Sequence, residues 1–183
     1  MILPIVKYGN PVLRQKGANI SKVTPEIEQL VADMLETMHD ANGVGLAAQQ
    51  IGKALQLAVI DIPTDSERPS RLWLDGKEAD VQSIMPLVLI NPKVEITKKK
   101  EIDGEGCLSF PGIGGDISRG YRVTVEYQDL EMKKCKFEAG GLLGRAVQHE
   151  VDHLNGVLFI DKMSKEEREA QKDKIEAIRL AAE

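Results

Sequence analysis

Residues 134–156 read KCKFEAGGLLGRAVQHEVDHLNG, and the change of period inside this stretch decides the fold. Cys135, Phe137 and Ala139 alternate with Lys134, Lys136 and Glu138, the two-residue period of a half-buried strand. From Leu142 the spacing becomes helical and runs to about Leu154, with a stop near Gly156. Leu142, Leu143, Ala146 and Val147 make most of that helix apolar, so it reads as buried. Inside it stands His149-Glu150-Val151-Asp152-His153. Positions i and i+4 of a helix share one face, one turn apart. Two imidazoles so placed can reach one metal at about 2.0–2.1 Å each. Glu150, next to the first of them, can face an open position as general base. A buried helix with two histidines and two acids is costly unless something satisfies them. The competing reading is a chance match on a solvated helix.

The rest of the chain is read around this helix. A first helix is predicted from about Pro25 to Asn42, capped by Thr24 and ended by Gly43. Ile27, Leu30, Val31, Met34, Leu35 and Met38 give it one apolar face. Leu55–Ile62, Leu87–Ile90 and Arg122–Tyr127 read as further strands. Pro63–Ile84, polar and turn-rich, reads as a surface insertion. A tail helix is predicted over about Lys165–Ala182, with Ser164 and Glu167 as its capping box. Strands cluster mid-chain and helices lie at both ends. The expected class is therefore α+β, with mixed or antiparallel sheets packed around a central HExxH helix. One domain over residues 1–183 fits this length, with 164–183 as its helical tail.

Composition narrows the function classes. The chain has 183 residues, 24 basic against 29 acidic, for a net charge of −5. A mildly acidic chain argues against a broad nucleic-acid face, so DNA is not an expected partner. No apolar run reaches the roughly 20 residues of a membrane span. The N-terminus lacks the pattern of a signal or transit peptide. Two cysteines build no disulfide framework, which favours a reducing compartment and a cytoplasmic location.

A catalytic metal needs a third protein ligand and an open position. The familiar third histidine, six residues after the second, is Phe159 here. Glu166, Glu167 and Glu169 read as a helix cap and solvated face, and Asp61 and Asp161 fit no better by spacing. Cys107, in Glu105-Gly106-Cys107-Leu108-Ser109, is the favoured ligand over a small buried hydrophobe. It follows Asp103-Gly104, read here as turn residues. Cys135 reads as an inert buried thiol, and His39 as a bystander at a helix C-terminus. A third segment, Gly43-Val44-Gly45-Leu46-Ala47-Ala48-Gln49-Gln50, is dense in small residues. Its backbone could pair with an extended peptide as an added strand, or could simply cap a helix and turn.

With these three segments quoted, the sequence resembles the peptide deformylases. That family carries GxGLAAxQ, EGCLS and HExDH in this order, here GVGLAAQQ (43–50), EGCLS (105–109) and HEVDH (149–153). GNPVLR (9–14), INP (90–92) and QHEVDHLNGVLFID (148–161) extend the likeness over essentially the whole chain. The resemblance implies a hydrolase that removes the N-formyl group from the N-terminal methionine of new chains and releases formate. It implies that Cys107, His149 and His153 bind one divalent metal, with a water in the fourth position. Iron is the implied native ion, with zinc, nickel or cobalt as replacements. It further implies that Glu150 takes the water's proton and returns one to the leaving amine. The Gln50 amide and the Leu108 N–H would stabilise the oxyanion, and Val44, Gly45 and Gly106 would contact the substrate backbone. Of two adjacent glutamines only one can serve, because on an extended strand they point to opposite faces.

Beside the resemblance, Arg119 is a candidate partner for Glu105 or Asp152, which would support the ligands from behind. The implied partners are N-formylmethionyl nascent peptides. A transient ribosome contact has little electrostatic support, because the tail carries five basic against six acidic residues. Lys98-Lys99-Lys100 reads as a solvated turn. Two other classes stay open at this point: a zinc endopeptidase with a ligand other than Cys107, and a non-catalytic metal protein. The latter would want four protein ligands.

Overall fold

The computed structural model describes residues 1–182; Glu183, the end of the tail, lies outside the described residues. Nine strands and four α-helices follow one another. Helix α1 (Pro25–Asp40) precedes β1 (Gly45–Ala47), β2 (Leu57–Ile60), β3 (Ser70–Leu74), β4 (Lys77–Ala79), β5 (Leu87–Ile96), β6 (Lys100–Gly106), β7 (Gly114–Gly120), β8 (Arg122–Gln128) and β9 (Lys134–Gly140). Helices α2 (Gly141–Leu154), α3 (Lys165–Ala170) and α4 (Lys172–Ala181) complete the chain. Seven strands form one antiparallel sheet in the order β1-β2-β5-β8-β9-β3-β4, and β6 pairs with β7 as a separate hairpin. The class is α+β, as the segregation of strands and helices implies.

The two long helices lie on opposite sides of the large sheet. Leu57 and Val59 of β2 pack with Val31, Met34 and Met38 of α1. Ile60 of the same strand packs with Leu143, Val147 and Val151 of α2. A strand covered on both faces has no polar side, which is why LAVI is apolar throughout and wholly buried. Eleven of the fourteen residues of α2 are buried, so the motif helix is indeed central. Gly144 lets it approach the sheet. A β-carbon there would lie 2.9 Å from the Ala139 carbonyl oxygen.

Helix α1 starts as its sequence predicts. The Thr24 hydroxyl accepts from the Ile27 N–H at 3.3 Å, and Pro25 opens the first turn. It ends differently. Asn42, not Gly43, takes the left-handed conformation (φ 55°), as asparagine tolerates, and the chain turns one residue early.

Five further expectations are corrected. Residues 63–84 are not only a surface insertion. Within them β3 pairs with β9, and Leu72 is fully buried in the α2 core with Trp73 nearly so. Asp103-Gly104 is not a turn, because both residues lie inside β6. Lys100 likewise opens β6 rather than closing a loop. The tail is two helices broken at Gln171. Its cap is half made: the Ser164 hydroxyl accepts from the Glu167 N–H at 3.1 Å, but the Glu167 carboxylate turns away to the Asp116 N–H. Among the described residues no helix is long and apolar enough to cross a membrane.

Candidate active site

Helix α2 presents His149 and His153 one turn apart with their ring centroids 5.0 Å from each other. Across from them, the β6–β7 hairpin delivers Glu105, Gly106 and Cys107 as β6 ends. The Cys107 Sγ stands 3.4 Å from His153 Nε2. One ligand atom from each of Cys107, His149 and His153 falls within 4.8 Å of the others. Ligand atoms around a tetrahedral zinc-like ion are about 3.5 Å apart, given bonds of about 2.0–2.3 Å. The three donors therefore fit one ion, and a thiolate with two imidazoles suits zinc or iron.

One of the two histidines is held from behind; His153 Nδ1 is buried with no hydrogen-bond partner. His149 Nδ1 lies 2.9 Å from Glu105 Oε1; facing an ionised carboxylate it must donate, which leaves Nε2 free toward the thiol. Glu105 itself is surrounded by cations. Arg119 meets both its oxygens at 2.8 Å, and Arg145 adds a third bond at 2.8 Å. Burial works to raise the Glu105 pKa, but Arg119 and His149 outweigh it and hold the carboxyl far below its ordinary range. Arg119 also reaches Asp152, so it pairs with both of the acids proposed for it. Burial lowers the His153 pKa well below its ordinary value, and the neighbouring His149 adds to the effect.

Glu150 faces the same space. Its Oε1 is buried with no hydrogen-bond partner, and burial pushes its pKa up to about 7. A carboxyl poised there can exchange a proton near neutral pH. The reason for Gly45 is visible here. A β-carbon at that position would lie 2.5 Å from the Glu150 carboxylate.

The small-residue segment forms β1, an edge strand that pairs with β2, so its outward backbone groups, the Ala47 N–H apart, have no strand partner among the described residues. After it the chain tightens into a 3-10 turn over Ala48–Ile51, not an extended strand. The two glutamines still diverge. Gln50 Oε1 accepts from the Ala47 N–H at 3.0 Å, which fixes its amide nitrogen toward Ser109 Oγ (3.1 Å) and Cys107 Sγ (3.6 Å). Gln49 points the other way, to the carbonyls of Gln15 and Leu154.

A cleft of about 470 Å³ opens over these groups. Val44, Gly45, Gln50, Gly106, Cys107 and Leu108 line it, together with Glu105, His149 and Glu150. His153 and Arg119 sit outside that lining. The rejected ligand candidates have other partners, and the Phe159 ring packs 5.9 Å from that of His149. Phe159 is buried in the apolar cluster around Phe110, Asp161 pairs with Arg14, Asp61 pairs with His39, and Glu167 serves Asp116. His39 is therefore not without a partner. Two site residues escaped the sequence reading. The Ser109 hydroxyl accepts from the Gln50 amide and donates to the Val6 carbonyl at 2.7 Å. Arg145 stands one helical turn before His149, and that i, i+4 spacing was the signal available for it.

Known proteins resemble this chain over nearly its whole length. The polypeptide deformylase family matches residues 2–169. A peptide deformylase of Methylacidiphilum infernorum is 52% identical over 98% of this chain and 94% of its own length. One from Opitutus terrae is 48% identical over 93% of this chain and 89% of its own. Among solved structures, the Ehrlichia chaffeensis peptide deformylase in complex with actinonin superposes with a TM-score of 0.82 at 35% identity, covering 98% of this chain and 97% of that one.

Proposed function

The chain belongs to the polypeptide deformylase family, a family of metal-dependent hydrolases that remove the N-formyl group from nascent peptides, and from this we infer how its own residues divide that reaction. Cys107, His149 and His153 would hold the ion. When bound, a divalent ion lowers the pKa of a water from about 15.7 to about 7 and polarises the carbonyl. Glu150 accepts the proton released at the nucleophile and returns one to the leaving amine. Its burial beside the donor set and its unpartnered oxygen support that role. The Gln50 amide, fixed by Ala47, donates to the oxygen that turns negative as the formyl carbon becomes tetrahedral. The Leu108 N–H is the second donor. Val44, Gly45 and Gly106 supply backbone contacts to the peptide along the open edge of β1. Glu105 and Arg119 orient the ligands.

The observation that carries this reading is the convergence of one thiol and two imidazoles within 4.8 Å, next to an unpartnered buried carboxylate. The native ion is proposed to be Fe²⁺. Thiolate ligation would then expose Cys107 to oxidative loss, and Zn²⁺, Ni²⁺ or Co²⁺ would be the alternatives. The whole of residues 1–183 acts as one catalytic domain in the cytoplasm, on N-formylmethionyl peptides rather than on DNA or membranes. Its net charge of −5 gives any ribosome contact weak support.

The test is formate release from a short formyl-Met peptide by anaerobically purified protein, with an acetyl-Met peptide as control. Rapid release from the formyl peptide alone is expected, and it should decay on exposure to oxygen in the iron form. Cleavage of internal peptide bonds instead would restore the endopeptidase reading.

A further inference from the structure

We propose that Arg145 is a positioning residue that joins the Cys107-bearing hairpin to the histidine-bearing helix and so keeps the metal in place. The proposal rests on the metal site described above and names the residue that holds its two halves together. Those halves come from separate pieces of the fold. Cys107 follows β6, in a two-stranded hairpin, while His149 and His153 belong to α2. An isolated two-stranded hairpin is marginally stable in water. Something must therefore fix it against the helix if three ligand atoms are to stay together.

The helix meets the hairpin through a polar stripe. Arg145, Gln148, His149 and Asp152 fall at i, i+3, i+4 and i+7, one face of α2. Each of them bonds to β6 or β7. Gln148 exchanges two 3.0 Å hydrogen bonds with the backbone of Gly120. His149 meets Glu105, and Asp152 meets Arg119. Arg145 alone reaches both strands and the supporting acid together. Its Nη1 donates to Glu105 Oε2 at 2.8 Å and to the Ile117 carbonyl at 2.7 Å, and its Nη2 donates to the Glu101 carbonyl at 2.9 Å. Glu101 is in β6 and Ile117 in β7. Arg145 is only 6% exposed. Its planar fork can span these acceptors as an ammonium cannot.

The consequence is mechanical. Glu105 stands two residues before Cys107 and touches His149, so a shift of the hairpin moves the thiol and the support of one imidazole together. A fully satisfied buried network is rigid, and removing one member leaves the others unpaired.

The experiment follows Co²⁺ release from the loaded protein into excess chelator, read by the thiolate-to-cobalt absorption band. Wild type, Arg145→Met and Arg145→Lys are compared, with a thermal melt of each. Arg145→Met is expected to release cobalt roughly 10–100-fold faster, as for residues that support metal ligands from behind. Arg145→Lys keeps a charge beside Glu105 but cannot span both strands, and should fall between. A merely structural role would lower the melting temperature while leaving release unchanged. Release within twofold of wild type in both folded variants overturns the proposal. If Arg145→Met does not fold, wild-type release from Arg145→Lys overturns it alone. A wild-type protein that shows no thiolate band would refute the metal site itself, which is a different failure.

Discussion

The Glu150 carboxylate occupies the space that a side chain on residue 45 would need: a β-carbon built on Gly45 lies 2.5 Å from Glu150 Oε2. The contact joins the first motif of the chain to the third across about a hundred residues. It also places the edge strand β1 directly beside the proton-carrying group. The glycine is required by what stands opposite it, not by its own backbone angle.

Gly45→Ala is therefore expected to push the carboxylate out of line while leaving the metal ligands untouched. Misplacing a reacting group by about 1 Å can lower a rate about 10²-fold. The prediction is a kcat reduced by about that factor with full metal content. Wild-type turnover in a folded Gly45→Ala protein would mean that Glu150 has room to move and need not be held.

The two glutamines separate function from structure. Gln50→Ala removes the donor fixed over Cys107 and should lower kcat by about 10²–10³ with metal retained. Gln49→Ala removes a buried amide that ties Gln15 to Leu154. It should destabilise by about 1–3 kcal/mol and leave kcat near wild type. Paired kinetics and melts on the two variants check this, and the opposite pattern would exchange their roles.

Leu72 tests whether residues 63–84 are part of the core. It is fully buried against the cluster that carries α2. Leu72→Ala should lower stability by about 2–5 kcal/mol, measured by denaturant unfolding. An effect below about 0.5 kcal/mol would return the segment to the surface.

The reading of that segment shows what the sequence could and could not convey. Both long helices were legible, because α1 has a threonine cap and an apolar stripe from Ile27 to Met38 and α2 carries HEVDH among leucines and valines. The thiol, the two imidazoles, Glu150 and Gln50 were legible because three short motifs hold them. Strand β3 was not, since RLWL is four residues among polar neighbours and its partner β9 lies more than sixty residues away. The β6–β7 hairpin was not, because KEIDGEG and GGDISRG have no apolar period. Its seam with α2 is polar, so burial leaves no hydrophobic signature. Arg145 belongs to that seam, and in sequence only its place one helical turn before His149 sets it apart.

Acid should act on the Arg14–Asp161 pair. Burial works to raise the Asp161 pKa, but the Arg14 guanidinium and the Leu158 N–H outweigh it and hold the carboxyl below its ordinary value. A carboxylate with a depressed folded pKa adds stability that is complete above its unfolded value, about 3.9, and is lost as pH falls through the folded value. Arg14→Met should therefore unfold at lower denaturant than wild type at pH 7. The gap should close as pH drops below about 4. A gap independent of pH would show that the Arg14 bond to the Gly156 carbonyl, not the ion pair, carries its effect.

The most direct test of the account is metal content measured beside formate release in three proteins: wild type, Cys107→Ser and Glu150→Gln. One divalent ion per chain and turnover are expected in wild type. Cys107→Ser should lose both. Glu150→Gln should keep the ion and lose turnover, with a metal-free melting temperature no lower than wild type, since a buried carboxylate becomes a neutral amide. A Cys107→Ser protein that keeps one ion per chain and releases formate at the wild-type rate would contradict the account.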